Sequence, residues 1–175
     1  CSARGTEPVR ASAAAEVGGI LVRVQHDGPR ILACGLEFKR PLEVVRVALG
    51  RSPRDFLRML PMIFPLCGMA HAVAALRAVE RAAGIVPDAA HQDARDLIAL
   101  ADAAAAHVWR LSLDWTVLAG LALDPAPVAA ARRAAESCQR ALYPAGDWLQ
   151  PGGGVLAAEP AALDAARQAF AAVFS

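Results

Sequence analysis

The stretch Phe64-Pro-Leu-Cys67-Gly-Met-Ala-His71-Ala-Val-Ala-Ala-Leu-Arg-Ala-Val-Glu80-Arg-Ala-Ala-Gly84 decides how the rest of the chain is read. Its small and straight-chain residues favour a helix from about Leu66 to Ala83, and Gly84 closes it as a C-terminal glycine does. On that helix Cys67, His71, Ala74 and Ala78 share one face. Leu66, Met69, Val73 and Leu76 lie on the opposite side, which is expected to pack into a core. The spacing therefore sets a thiol and an imidazole one turn apart, flanked by small side chains. By itself Cys-x-x-x-His is a weak motif. A lone cysteine on a helix is commonly a small buried hydrophobe, and a lone histidine on an apolar helix is commonly a core residue.

Upstream, Ser52-Pro53 predicts a helix start, with Ser52 as N-cap and proline in the first turn. Phe56, Leu57 and Leu60 give that helix its apolar face, and Pro61 and Pro65 are expected to break it. Leu42, Val45 and Leu49 predict a further helix ended by Gly50. Before Pro41 the period changes. Ile20, Val22 and Val24 alternate with their neighbours, His26-Asp-Gly-Pro29 reads as a turn, and Ile31 to Phe38 reads as the return strand. Residues 1–16 are small and Ala-rich and are expected to be a loose end.

Downstream, one very long helix is expected from about Ala89 to Leu121, then a turn at Asp124-Pro-Ala-Pro127. Helices from about Val128 to Leu142 and from Ala161 to Phe174 follow, with Pro151-Gly-Gly-Gly154 between them as a flexible loop. No internal repeat is visible. The fold class expected is mainly α, a helical bundle with an N-terminal β-hairpin. The organisation expected is a single domain over residues 1–175, with hairpin at 19–38 and helices over 41–174. Both ends are expected to be those of a fragment of a longer chain.

Composition agrees with a folded domain. Apolar residues make up 56% of the 175 and charged residues 20%, which excludes intrinsic disorder. The net charge of +1 gives no strong pull towards nucleic acid or a membrane surface. Apart from Lys39 every basic residue is arginine, which reads as coding bias as readily as function. The richest apolar stretch, Met59 to Leu76, is broken by Pro61, Pro65, Gly68 and His71, so no membrane span is expected. No charged-then-apolar leader is seen. The four cysteines, Cys1, Cys34, Cys67 and Cys138, are too widely spaced for a disulfide framework, and a reducing cytoplasm is expected.

The central stretch resembles the nickel-iron hydrogenase large subunit, where Arg-x-Cys-Gly-x-Cys-x-x-x-His opens a helix continuing x-x-Ala-x-x-x-Ala-x-Glu. His71, Ala74, Ala78 and Glu80 fall in register with that pattern. Cys67 takes the place of the second cysteine, which in the family bridges nickel and iron. Phe64 takes the place of the first, which binds nickel alone, and Met62 that of the arginine. Gly50-Arg-Ser-Pro53 looks like the family's Gly-Arg-x-Pro turn, and Gly84-Ile-Val-Pro87 and the helix through Arg95 and His107 also match. The family's proton-path glutamate falls on Val45, with Glu43 two positions off. Its C-terminal Asp-Pro-Cys-x-x-Cys is absent, because Asp124-Pro125 is followed by Ala-Pro.

A narrower likeness rests on Arg40-Pro41, Leu49-Gly-Arg51, Phe64-Pro-Leu-Cys67-Gly-x-Ala-His71 and Trp109-Arg-Leu-Ser-Leu-Asp114-Trp115. These resemble hydrogenase maturation proteins of the HupK/HoxV type, degenerate paralogues of the large subunit. The resemblance implies a non-catalytic scaffold for assembly of the iron centre carrying cyanide and carbon monoxide. It implies iron held transiently through Cys67 with no nickel, His71 beside the sulfur, and two partners: a HypC-type chaperone and the large-subunit precursor. A soft thiolate suits low-spin iron with strong-field diatomic ligands. Two other readings stand beside it, a divergent catalytic subunit and a metal-free helical module that only binds protein.

The remaining candidates carry less. Cys34 is expected in the core and Cys138 as an exposed thiol. His26 reads as a turn residue, and His91 lies near a helix start. His107, Trp109 and Trp115 are expected to pack, and Asp114 to pair with Arg110.

Overall fold

The computed structural model describes residues 19–39 and 46–174. The expected loose end over 1–16 lies outside them, as do Leu42, Glu43 and Val45 of the helix expected before Gly50. The part of that helix that is described is a single 3₁₀ turn over residues 46–48, with the Leu49 N–H on Arg46 O at 3.1 Å. The chain divides into two compact units, Cys1–Leu49 and Gly50–Ser175.

The first unit holds strands β1 (Gly19–Asp27) and β2 (Arg30–Lys39), paired antiparallel as the alternation predicts. Gly28 turns the chain with φ +55°, a conformation that favours glycine. Cross-strand partners Ile20–Phe38, Val22–Leu36 and Val24–Cys34 gather the apolar side chains on one face. A bulge at Gln25/His26 shifts the register next to the turn. Cys34, expected in the core, is exposed on this hairpin. Two strands alone have no interior in which to bury it.

The regular elements described in the second unit are all helical. Helix α1 (Pro53–Ile63) starts as predicted, with Ser52 Oγ accepting the Asp55 N–H at 3.1 Å. Pro61 does not break α1 but lies inside it, two residues before its end. The bond that Pro61 cannot donate is lost only in the last turn, where it costs least. Helix α2 (Gly68–Ala83) ends on Gly84 at φ +69°, and the Ile85 N–H returns to Glu80 O at 2.9 Å. A Cβ on Gly68 would sit 2.5 Å from Pro61 Cα, so α1 and α2 approach backbone to backbone at the one residue without a side chain.

Helix α3 (Ala89–Trp109) is capped by Asp88, whose Oδ1 accepts the His91 N–H at 2.8 Å. The long helix expected to Leu121 is not a uniform α-helix. A π-helical turn follows over Arg110–Trp115, and then one α turn, α4 (Thr116–Leu118). Thr116 Oγ1 donates to the carbonyls of Ser112 and Leu113 (2.7 and 3.0 Å), the kind of back-bonding that competes with a regular ladder. Helices α5 (Ala126–Leu142) and α6 (Pro160–Val173) fall within two residues of expectation.

The core gathers Leu57 and Leu60 of α1, Val73 and Leu76 of α2, Ile98 of α3, Leu142 of α5 and Trp148. Ala105, Val108, Val128 and Ala131 form a second cluster between α3 and α5, with Trp109 packed against it. Cys138, expected exposed, is buried in the first cluster, and burial pushes its thiol above the ordinary cysteine range. No described helix is long and apolar enough to cross a membrane.

The Pro151–Gly154 segment is not free. Arg95 and Glu80 form a buried ion pair, with Arg95 Nη1 at 2.9 and 3.2 Å from the two carboxylate oxygens. Arg95 Nη2 donates to Gln150 O (3.0 Å) and the Gly152 N–H donates to Glu80 Oε1 (2.9 Å). Buried charges persist when paired and hydrogen-bonded; the loop backbone supplies two further partners, while the buried Arg95 Nε has none among the described residues. Gly153, at φ +118°, lies so close to the His91 ring that a Cβ would fall 2.4 Å from Nε2. His91 Nδ1 is in turn 2.7 Å from the hydroxyl of buried Tyr143.

Candidate functional site around Cys67

Cys67 is the N-cap of α2 rather than part of its first turn, with φ −137° and ψ 31°. Phe64 caps the C-terminus of α1, so only Pro65 and Leu66 separate the two caps. This short connection is what brings residue 67 to the surface, and its thiol is exposed and unpaired.

The connection is held from both sides. Arg132 of α5 donates to Pro65 O at 2.9 Å, and Asp102 of α3 accepts the Met69 N–H at 3.2 Å. Asp102 thus satisfies one of the free N–H groups of the first turn of α2. Burial raises the Asp102 carboxyl above the ordinary aspartate value of 3.8, against the opposing pull of the Met69 N–H and the Arg132 charge. Arg132 also lies over Trp109, 6.0 Å from the ring centroid.

His71, Ala74 and Ala78 share the exposed face of α2, as the spacing predicts. Val73 and Leu76 are buried on the other side, and Met69 is half-buried against the core. The His71 ring meets Cys67 through the main chain, with Nδ1 2.9 Å from Cys67 O. A carbonyl oxygen only accepts, so Nδ1 carries the proton of this hydrogen bond. Phe64 stacks on the imidazole, centroids 4.0 Å apart and planes 6° from parallel. Phe64 therefore packs against the ring on the side next to the helix start that carries Cys67.

Among the described residues no three His, Cys, Asp or Glu side chains converge on a point that would hold a metal ion. Cys67 is a single soft donor in an open setting. A bound metal would bring most of its ligands with it or share them with a second macromolecule.

The other candidates lie elsewhere. His26 is in the hairpin, Nδ1 3.1 Å from Gly28 O. Arg110 and Asp114 pair as predicted. His107 and Trp115, expected to pack, are both exposed. Asp102 and Arg132 were not singled out by sequence reasoning. Asp102 carried a signal, a lone carboxylate on the Ile98, Ala101, Ala105 face of α3, whereas Arg132 is one of two adjacent arginines on α5 and carried none.

Comparison with known proteins gives the family. A family model described as nickel-dependent hydrogenase matches residues 40–147. The hydrogenase expression/formation protein HupK of Azotobacter vinelandii is 34% identical over 123 residues, 70% of this chain and 36% of that protein. HupK of Rhodobacter capsulatus is 36% identical over 109 residues, 62% of this chain and 32% of that one. The hydrogenase expression/formation protein HupV of Azotobacter chroococcum mcd 1 is 41% identical over 68 residues, 38% of this chain and 20% of its own length. The chain thus spans about a third or less of the curated relatives it matches. No solved structure matches it.

Proposed function

The chain belongs to the nickel-dependent hydrogenase family, and from that premise we propose that it serves hydrogenase maturation as a non-catalytic, cytoplasmic scaffold for the iron-cyanide-carbonyl centre. The observation that carries the reading is the exposed Cys67 thiol at the start of α2, with Phe64 where the family pattern has its nickel-only cysteine. The relatives' names, hydrogenase expression/formation protein, support the same role. An iron that arrives already carrying diatomic ligands needs few donors from its carrier, and one soft thiolate suits transient holding better than a closed protein cage. The iron is cargo, received from a HypC-type chaperone and passed to the large-subunit precursor. Exposure of the thiol serves that exchange, since the donor and the acceptor must both reach it. No role for nickel is included, because the residue that would hold it alone is a phenylalanine.

The absence of a converging ligand cluster among the described residues favours a second reading, a helical module that binds hydrogenase precursors without metal. Iron analysis of the protein co-purified with its maturation partners separates the two. The scaffold reading predicts bound iron that Cys67→Ala removes while partner binding stays. Partner binding without iron in the unaltered protein would leave only the second reading.

A further inference from the structure

On α1 the positions left out of the core carry unpaired charge. Leu57 and Leu60 are buried, whereas Arg54 and Arg58 are exposed and lie one turn apart. Like charges at that spacing, about 5–6 Å between Cβ atoms, repel each other. Elsewhere the chain sets an acid three or four residues from a helical arginine, as in Arg110–Asp114, Glu136–Arg140 and Asp164–Arg167. Arg54 and Arg58 have no such partner among the described residues. Asp55, which lies between them in sequence, is turned to the helix start, where it accepts from Ser52 Oγ at 2.6 Å.

Both arginines line a cavity of about 370 Å³, bounded on its other side by the loop that follows α5. That wall is built in advance. Trp148 anchors it in the core. The Gly146 N–H bonds Tyr143 O at 2.9 Å, the Gln150 N–H bonds Asp147 O at 3.0 Å, and Arg95 Nη2 holds Gln150 O at 3.0 Å. A wall already ordered adds little ordering cost when a ligand binds. Asp147, the acid in the lining, is committed elsewhere. Its Oδ2 accepts the Val155 N–H at 2.8 Å, and its Oδ1 is buried against Gly154, where a Cβ would sit 2.5 Å away. Two guanidinium groups against one carboxylate leave the lining with a formal charge of +1. Leu149 and Pro151 make the rest of it partly apolar.

A guanidinium fork pairs bidentately with carboxylate or phosphate. One fork already saturates a carboxylate, whereas two forks a turn apart suit a group with three terminal oxygens. The geometry points to a site for a phosphate monoester between α1 and the 146–151 loop, with the phosphoryl oxygens on Arg54 and Arg58 and the body of the ligand over Leu149 and Pro151. It stands whether or not Cys67 holds iron. Titrating the whole chain, labelled with nitrogen-15, with inorganic phosphate at an ionic strength held constant with chloride tests it. The Nε–H signals of Arg54 and Arg58 and the amides of Gly146 to Gln150 should shift together and saturate, with a Kd of about 1 mM or below. Arg54→Gln and Arg58→Gln should each raise that Kd by roughly tenfold, the worth of a hydrogen bond to a charged group. Arg133→Gln, which alters an exposed arginine outside the cavity, should leave it unchanged. Shifts that never saturate, or a Kd that both α1 variants leave intact, overturn the inference. So does acetate binding as tightly as phosphate, which would make the pair a contact for the acidic side chains of a protein partner.

Discussion

At the scale of single residues, the site depends on atoms that are missing as much as on those present. Gly68 lets α2 begin against the backbone of Pro61, and a methyl group there would meet Cα at 2.5 Å. Gly68→Ala should therefore force α1 and α2 apart and cost about 1–3 kcal/mol, read as a lower midpoint in urea unfolding. An unchanged midpoint would show that the two helices separate freely. Arg95 is the opposite case, a charge that cannot be left alone. Arg95→Ala would strand buried Glu80 and release Gln150 O, with a loss of about 3–5 kcal/mol. If that variant unfolds within 1 kcal/mol of the parent, roughly the worth of a surface pair, the ion pair does not hold the glycine loop. Much of this level was legible. The caps at Ser52 and Gly84 follow from residue chemistry alone, and the shared face of His71, Ala74 and Ala78 follows from helical spacing. The stacking of Phe64 on His71 was not, because it depends on where α1 ends.

At the scale of elements, α3 is the organising helix. Through Asp102 it holds the first turn of α2, through Arg95 the 150–152 loop, and through Ala105 and Val108 it packs on α5. Asp102 accepts this work at an electrostatic cost, since burial disfavours its charged form. The sign follows from linkage. A carboxyl whose value is raised by folding binds its proton more tightly in the folded state. Its contribution is fully favourable below the ordinary 3.8 and is lost as pH rises through the raised value. Asp102→Asn keeps an acceptor for the Met69 N–H without the charge. The parent should therefore gain stability relative to this variant as pH falls from neutral towards 3.8 in paired urea titrations. A difference that is flat with pH, or that moves the other way, would contradict the burial argument. The sequence pattern located α3 but not its end, because the apolar period continues past Trp109 while Thr116 turns back onto the carbonyls of Ser112 and Leu113. The same pattern hid the fate of His107 and Trp115. Apolar period marks a stripe as one to be covered, without saying whether the cover comes from the same chain. Cys34 and Cys138 exchanged their expected places for a related reason, since a strand residue is buried only where something packs on its face.

At the scale of the whole molecule, a hydrogenase-family helical unit presents one thiol at an exposed helix start, beside a histidine locked by a phenylalanine. The family match over residues 40–147 includes this segment. Its chemistry is read as holding rather than turning over on the proposal that Phe64 stands where the hydrogenase pattern has its nickel-only cysteine. Mainly α architecture with an N-terminal hairpin was visible from period and punctuation. Whether Cys67 would face outward was not, since its exposure is set by the two-residue link between α1 and α2 and by Asp102 and Arg132 pinning that link from helices distant in sequence. The most direct measurement is infrared spectroscopy of the protein purified together with its maturation partners, in the region where metal-bound cyanide and carbon monoxide absorb. The account predicts such bands in the unaltered protein, their loss in Cys67→Ala, and their retention in Cys34→Ala. Bands of equal strength in Cys67→Ala would contradict it.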